Sequence, residues 1–112
     1  MSNGYALLAA EISRWPSMNE LASIFKSDGY TVIEGKFSLR LADFNHFVFR
    51  ELGGDLSLGS VSADHRSTEE LVAFSHRVSR TLANSGIRHR FEVYSEKEEL
   101  AAYMHHNWPK DR

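Results

Sequence analysis

The chain contains no cysteine. That single absence removes disulfides, thiolate metal sites, iron–sulfur clusters and cysteine nucleophiles together. It suits a reducing compartment. Proline is scarce, with two residues, and each follows a tryptophan: Trp15-Pro16 and Trp108-Pro109. No window approaches the run of about 20 apolar residues that a membrane span needs. The apolar stretch Ala6 to Ala10 is too short for a signal-peptide core, no Lys or Arg precedes it, and Glu11 ends it. These features predict a soluble, cytoplasmic protein. There is no GxxxxGK[ST], GxGxxG or GxSxG, so no nucleotide cofactor or serine-nucleophile elbow is expected. Their absence weighs against an enzyme. Strong charge of one sign is missing too: the net charge is -2. A chain built to grip phosphate backbones is usually clearly basic.

What is present suffices for one domain, residues 1–112. The chain has 112 residues, 42% of them hydrophobic and 12% aromatic, enough for a core without metals or disulfides. Three stretches read S-x-x-E: Ser17–Glu20, Ser67–Glu70 and Ser95–Glu98. In this pattern a serine hydroxyl accepts from the third helical amide and the glutamate reaches back. Each predicts a helix start. A first helix is expected over Gly4 to Arg14, stopped by Trp15-Pro16. A second is expected from Ser17 to about Ser27, ended by Asp28-Gly29. A third runs from Ser67 to about Asn84, and a last from Glu96 to about His106.

Between Tyr30 and Ala63 the hydrophobic period changes to two. "YTVI", "KFSLRLA", "FNHFVFREL" and "DLSLGSVSA" read as strands, and "IRHRFEVY" as another after the long helix. The third of these carries apolar residues on both faces, which predicts a strand covered twice. Gly53-Gly54 predicts a hairpin turn. A slip of apolar phase between Leu58 and Val61 predicts a bulge near Gly59. The strand–helix–strand step from residue 56 to 94 is expected to make its two strands parallel. The resulting order is ααββββαβα. It is an α+β fold of about four helices on a four- to five-stranded mixed or mainly antiparallel sheet.

The candidate sites are three. An acidic run, Glu92, Glu96, Glu98 and Glu99, stands beside Tyr94 and Tyr103. A basic run, Arg77, Arg80, Arg88 and Arg90, precedes it. Six histidines include His89 on an apolar strand face and the adjacent pair His105-His106. Neighbours on a helix point about 100° apart, so His105 and His106 would not share an ion. A metal or general-base site would need His89 to meet one of them. His46 on another strand is the other candidate. The tryptophans are expected to fold back onto the core where their helices end.

The leading expectation is a non-enzymatic protein-binding domain. Its most specific form is a bacterial immunity or antitoxin-like inhibitor that meets a basic toxin with the acidic and aromatic residues. One alternative is a small enzyme or metal protein using His89 with His105 or His106. Another is nucleic-acid binding through Arg77 to Arg90. No membrane partner and no cofactor is expected. A homodimer through an exposed strand edge is compatible with each.

Overall fold

The computed structural model describes residues 4–13, 15–52 and 55–108, and among them the chain forms seven strands and two helices. The elements are β1 (Ala6–Ile12), α1 (Met18–Ser27), β2 (Val32–Glu34), β3 (Ser38–Leu41), β4 (Phe47–Leu52), β5 (Asp55–His65), α2 (Thr68–Asn84), β6 (His89–Tyr94) and β7 (Leu100–His106). They form one sheet in the order β2-β3-β4-β5-β1-β6-β7, antiparallel at every pairing. The radius of gyration is 13.5 Å, close to the ~13 Å of a compact chain of this length. Among the described residues no helix is long and apolar enough to cross a membrane.

The expected four helices on a smaller sheet are therefore corrected to two helices on seven strands. Two segments account for the difference. Residues 4–14 are rich in Ala, Leu and Glu, good helix formers. Yet Ala6, Leu8 and Ile12 are buried while Leu7, Ala9 and Glu11 are exposed, a period of two. Strands on both sides hold this segment: β5 at Ala6 and Leu7, and β6 from Leu7 to Ile12. Pairing on two sides outweighs a propensity of a few tenths of a kcal/mol per residue. The final segment repeats the case. It pairs with β6 from Leu100 to His106 as a strand, with Met104 inward.

The serines show what the S-x-x-E pattern can and cannot specify. Ser17 forms the full capping box with Glu20. Ser67 accepts from the Glu70 amide and starts α2. Ser95 also accepts from downstream amides, those of Lys97 (3.1 Å) and Glu99 (3.3 Å). There the chain closes a hairpin instead, with the Ser95 amide bonded to the Glu99 carbonyl and Glu98 in the left-handed region at φ 64. A serine oxygen satisfies free amides equally well in a helix start and in a turn.

Both helices cover the same sheet face. Phe25 of α1 meets Phe49 at 5.3 Å, and Phe74 of α2 meets Phe47 at 5.4 Å. Phe47 and Phe49 are two residues apart on β4, so they share a face. Leu39, Leu41, Val61, Ala63, Phe91, Val93, Leu71, Val78 and Leu82 join them in one core. Among the described residues the expected second cover for β4 is not found. Val48 faces away from the helices and is nonetheless buried, though no helix among the described residues lies on that side. At the C-termini of the helices, the Tyr30 hydroxyl meets Thr81 Oγ1 at 3.1 Å, and Thr81 donates to Asp28.

The β5–α2–β6 step is parallel, because β1 lies antiparallel between its two strands. Gly53-Gly54 lies outside the described residues, though Leu52 pairs with Asp55 across that position. The register shifts between Arg50 and Leu52, whose partners Ser60 and Asp55 bracket Gly59. Trp15 does fold back, packing edge-on to Phe49 with ring centroids 6.3 Å apart. Gly59 makes room for it: a Cβ there would stand 2.8 Å from the indole ring.

Two stability outcomes follow from this packing. Gly59→Ala should lower the denaturation midpoint by the equivalent of about 1–3 kcal/mol, because the indole must move. Ser75→Ala should raise stability, by up to about 1 kcal/mol. Its hydroxyl is fully buried with no partner, and alanine also favours the helix. Chemical denaturation of each variant measures both.

Candidate functional site

With both helices on one side, no helix or strand among the described residues covers the other face of the sheet. Alternation fixes what stands there. On β1 it is Leu7, Ala9 and Glu11; on β6, Arg90, Glu92 and Tyr94; on β7, Tyr103 and His105. Leu7 and Tyr103 are 44% and 46% exposed, unusual for large apolar or aromatic side chains.

Register turns three charged residues and a tyrosine into a ladder. Glu11 lies opposite Arg90. The Arg90 guanidinium donates to Glu11 Oε1 from Nε (2.9 Å) and Nη2 (2.6 Å), and to Glu92 Oε2 from Nη1 (2.5 Å). The Tyr94 hydroxyl donates to the other Glu92 oxygen at 2.7 Å. The bond to Glu11 raises the Arg90 pKa further above its usual value, and the Glu92 bond likewise holds the Tyr94 proton more tightly. Such half-exposed pairs add little to stability. What they do is fix the direction of each side chain on an otherwise open surface.

Beside the ladder lies a groove of about 280 Å³ lined by Tyr5, Leu7, Ala9, Tyr94, Ser95, Glu96 and Glu98. Its floor is apolar and its rim carries carboxylates. Glu96, Glu98 and Glu99 all belong to the exposed β6–β7 turn. The structure thus gathers Glu92, Tyr94 and Tyr103 on one face, with Glu96, Glu98 and Glu99 at its end. Tyr5, Leu7, Ala9 and Glu11 complete the surface. They were not legible as part of it because their segment read as a helix. The alternation of Leu7, Ala9 and Glu11 was the available signal.

The basic run does not stay together. Arg77 and Arg80 lie on α2, on the opposite side of the sheet from Arg90. Arg77 sits over the Tyr30 ring at 4.4 Å. Arg88 is exposed, its Nε donating to the Asn107 carbonyl. Trp108 does not return to the core. Asn107 is left-handed at φ 53, and the indole lies 5.9 Å from the Arg90 guanidinium, on the open face.

The histidines separate in the same way. His89 is opposite His106, with ring centroids 6.4 Å apart, whereas His105 pairs with Arg90 and faces away. His89 is fully buried and both ring nitrogens are engaged. Nδ1 donates to the Ile87 carbonyl at 2.9 Å, and Nε2 accepts from the Ser79 hydroxyl at 2.6 Å. A carbonyl can only accept, so the proton sits on Nδ1. Neither nitrogen has a lone pair left for an ion. Among the described residues no group of three His, Cys, Asp or Glu could hold a metal. His46 bonds Ser62 at 3.1 Å, far along the sheet.

No protein-family model, no curated protein and no solved structure matches the chain.

Burial holds the His89 pKa below 6.5, because charging the ring would strip it of water. The unfolded chain then binds a proton that the folded chain refuses. Stability from this residue is complete above about pH 6.5 and falls as pH drops toward the folded pKa. The slope can reach about 1.4 kcal/mol per pH unit. His89→Gln should remove that part of the slope in denaturation midpoints measured between neutral and mildly acidic pH.

Proposed function

We propose that the chain is a non-enzymatic protein-binding domain that works through the open face of β1, β6 and β7 and the acidic turn between β6 and β7. The observation that carries this reading is the groove itself: an apolar floor of Leu7, Ala9 and Tyr94, with Glu96 and Glu98 at its edge. That combination suits a basic protein surface. The aliphatic stem of a lysine or arginine can lie along the floor while its charge meets the turn. Aromatic anchors beside a charged rim are also the residues that dominate interface energies. The most specific form of the reading is an inhibitor that covers a toxin's basic active-site surface. The energetics of the fold are compatible with this role. The core aromatics are worth about 3–5 kcal/mol each when truncated, while the open-face ion pairs are worth about 1 kcal/mol or less. Side chains on this face can therefore be chosen for a partner without unfolding the domain.

The test combines capture at physiological salt with calorimetry on three variants. Reversing the turn, Glu96→Lys with Glu98→Lys and Glu99→Lys, should weaken the captured partner by about tenfold or more. Tyr94→Ala should do the same. Arg80→Glu, on the helix side, should leave binding unchanged. A partner whose affinity ignores the turn and Tyr94 would reject this surface, and so would capture of none.

A further inference from the structure

The two edges of the sheet are built differently. β2 has three residues, and its Glu34 is held by Lys26 of α1 at 2.9 Å. β7 has seven, reads LAAYMHH, and contains no proline, lysine, arginine or carboxylate. Among the described residues its only strand partner is β6. Natural edges are usually short, charged or covered, since a bare edge offers unpaired amides and carbonyls to any strand that fits. Asn107 and Trp108, the last described residues, do not lie along that edge. Asn107 is left-handed, and the Trp108 ring lies toward Arg90 of β6, away from the edge.

We propose that β7 pairs antiparallel with β7 of a second copy of this chain, about a two-fold axis near Tyr103, so that two sheets become one. Charge at the corners favours a second copy over a foreign strand. In this pairing Glu99 of one copy comes opposite Asn107 of the other. Arg88 already reaches the Asn107 carbonyl, at the same corner. Neighbouring strands are about 4.8 Å apart, so Arg88 and the partner's Glu99 stand about two strand spacings apart, near 10 Å between backbones. Extended arginine and glutamate side chains span that gap. The symmetry produces the same pair at both ends of the seam. Tyr103, nearly half exposed, meets its own copy at the centre, and such aromatic cross-strand pairs are favourable. The inference is independent of what binds the acidic groove.

Sedimentation or light scattering across a wide concentration range tests it. The chain should approach twice the 12.8 kDa mass of one copy. Ala101→Lys with His105→Lys sets lysines opposite one another across the seam and should raise the dimer dissociation constant at least tenfold. Ile33→Lys, on the β2 edge, should not. Glu99→Arg should weaken the dimer, and adding Arg88→Glu to the same chain should restore it. Circular dichroism confirms that each variant is folded. A chain that stays monomeric at every concentration overturns the proposal. A dimer indifferent to the β7 lysines, or a charge swap that restores nothing, does so as well.

Discussion

The insertion of β1 between β5 and β6 is the constraint on which the rest depends. A strand from the start of the chain fills the gap left by a β–α–β step whose ends lie far later in sequence. Without it the sheet would divide into β2–β5 and β6–β7. With it, α2 can lie across β5, β1, β6 and β7, and α1 closes the other half over β2 and β3. Such long-range pairing carries a loop-closure cost that only extensive burial repays. That burial comes from the aromatic cluster of Phe25, Phe47, Phe49 and Phe74, sandwiched between helices and sheet.

A one-sided core gives the two faces of the sheet different tasks. The helix side is packed, and its polar atoms are almost all paired: His89 with Ser79 and Ile87, Tyr30 with Thr81. Chemistry there would have to break structure first. The open side carries side chains whose positions are set by register and by the Glu11–Arg90–Glu92–Tyr94 ladder, not by dense packing. If β7 joins a second copy, the two open faces become one broad surface with an acidic turn toward each end of the seam.

Several parts of this arrangement were legible in the residues. The helices at Ser17 and Ser67 followed from a capping serine before an apolar stripe of helical period. The strands from Tyr30 to Ala63 followed from alternation, and Trp15 folded back as a residue before proline can. The acidic and aromatic candidates Glu92, Tyr94 and Tyr103 do share a face, because residues two apart on a strand must. Residues 4–14 and 96–106 were misread as helices for one reason. Alanine, leucine and glutamate favour a helix locally, and only partners on other strands reverse that preference. The error hid Leu7 and Glu11 from the candidate surface and made His105 and His106 look like one helical turn.

The sequence by itself determined the chemistry available and most local structure: no thiols, no phosphate loop, two well-capped helices and a set of alternating strands. Tertiary structure alone decided where those groups meet. It placed His89 against His106, with both His89 nitrogens engaged elsewhere, and turned His105 the opposite way. It sent Arg90 to Glu11, across the open face from the helix arginines. The physical reason is register. A pairing between distant strands fixes which residues are neighbours and which face each takes, and no local pattern encodes the partner.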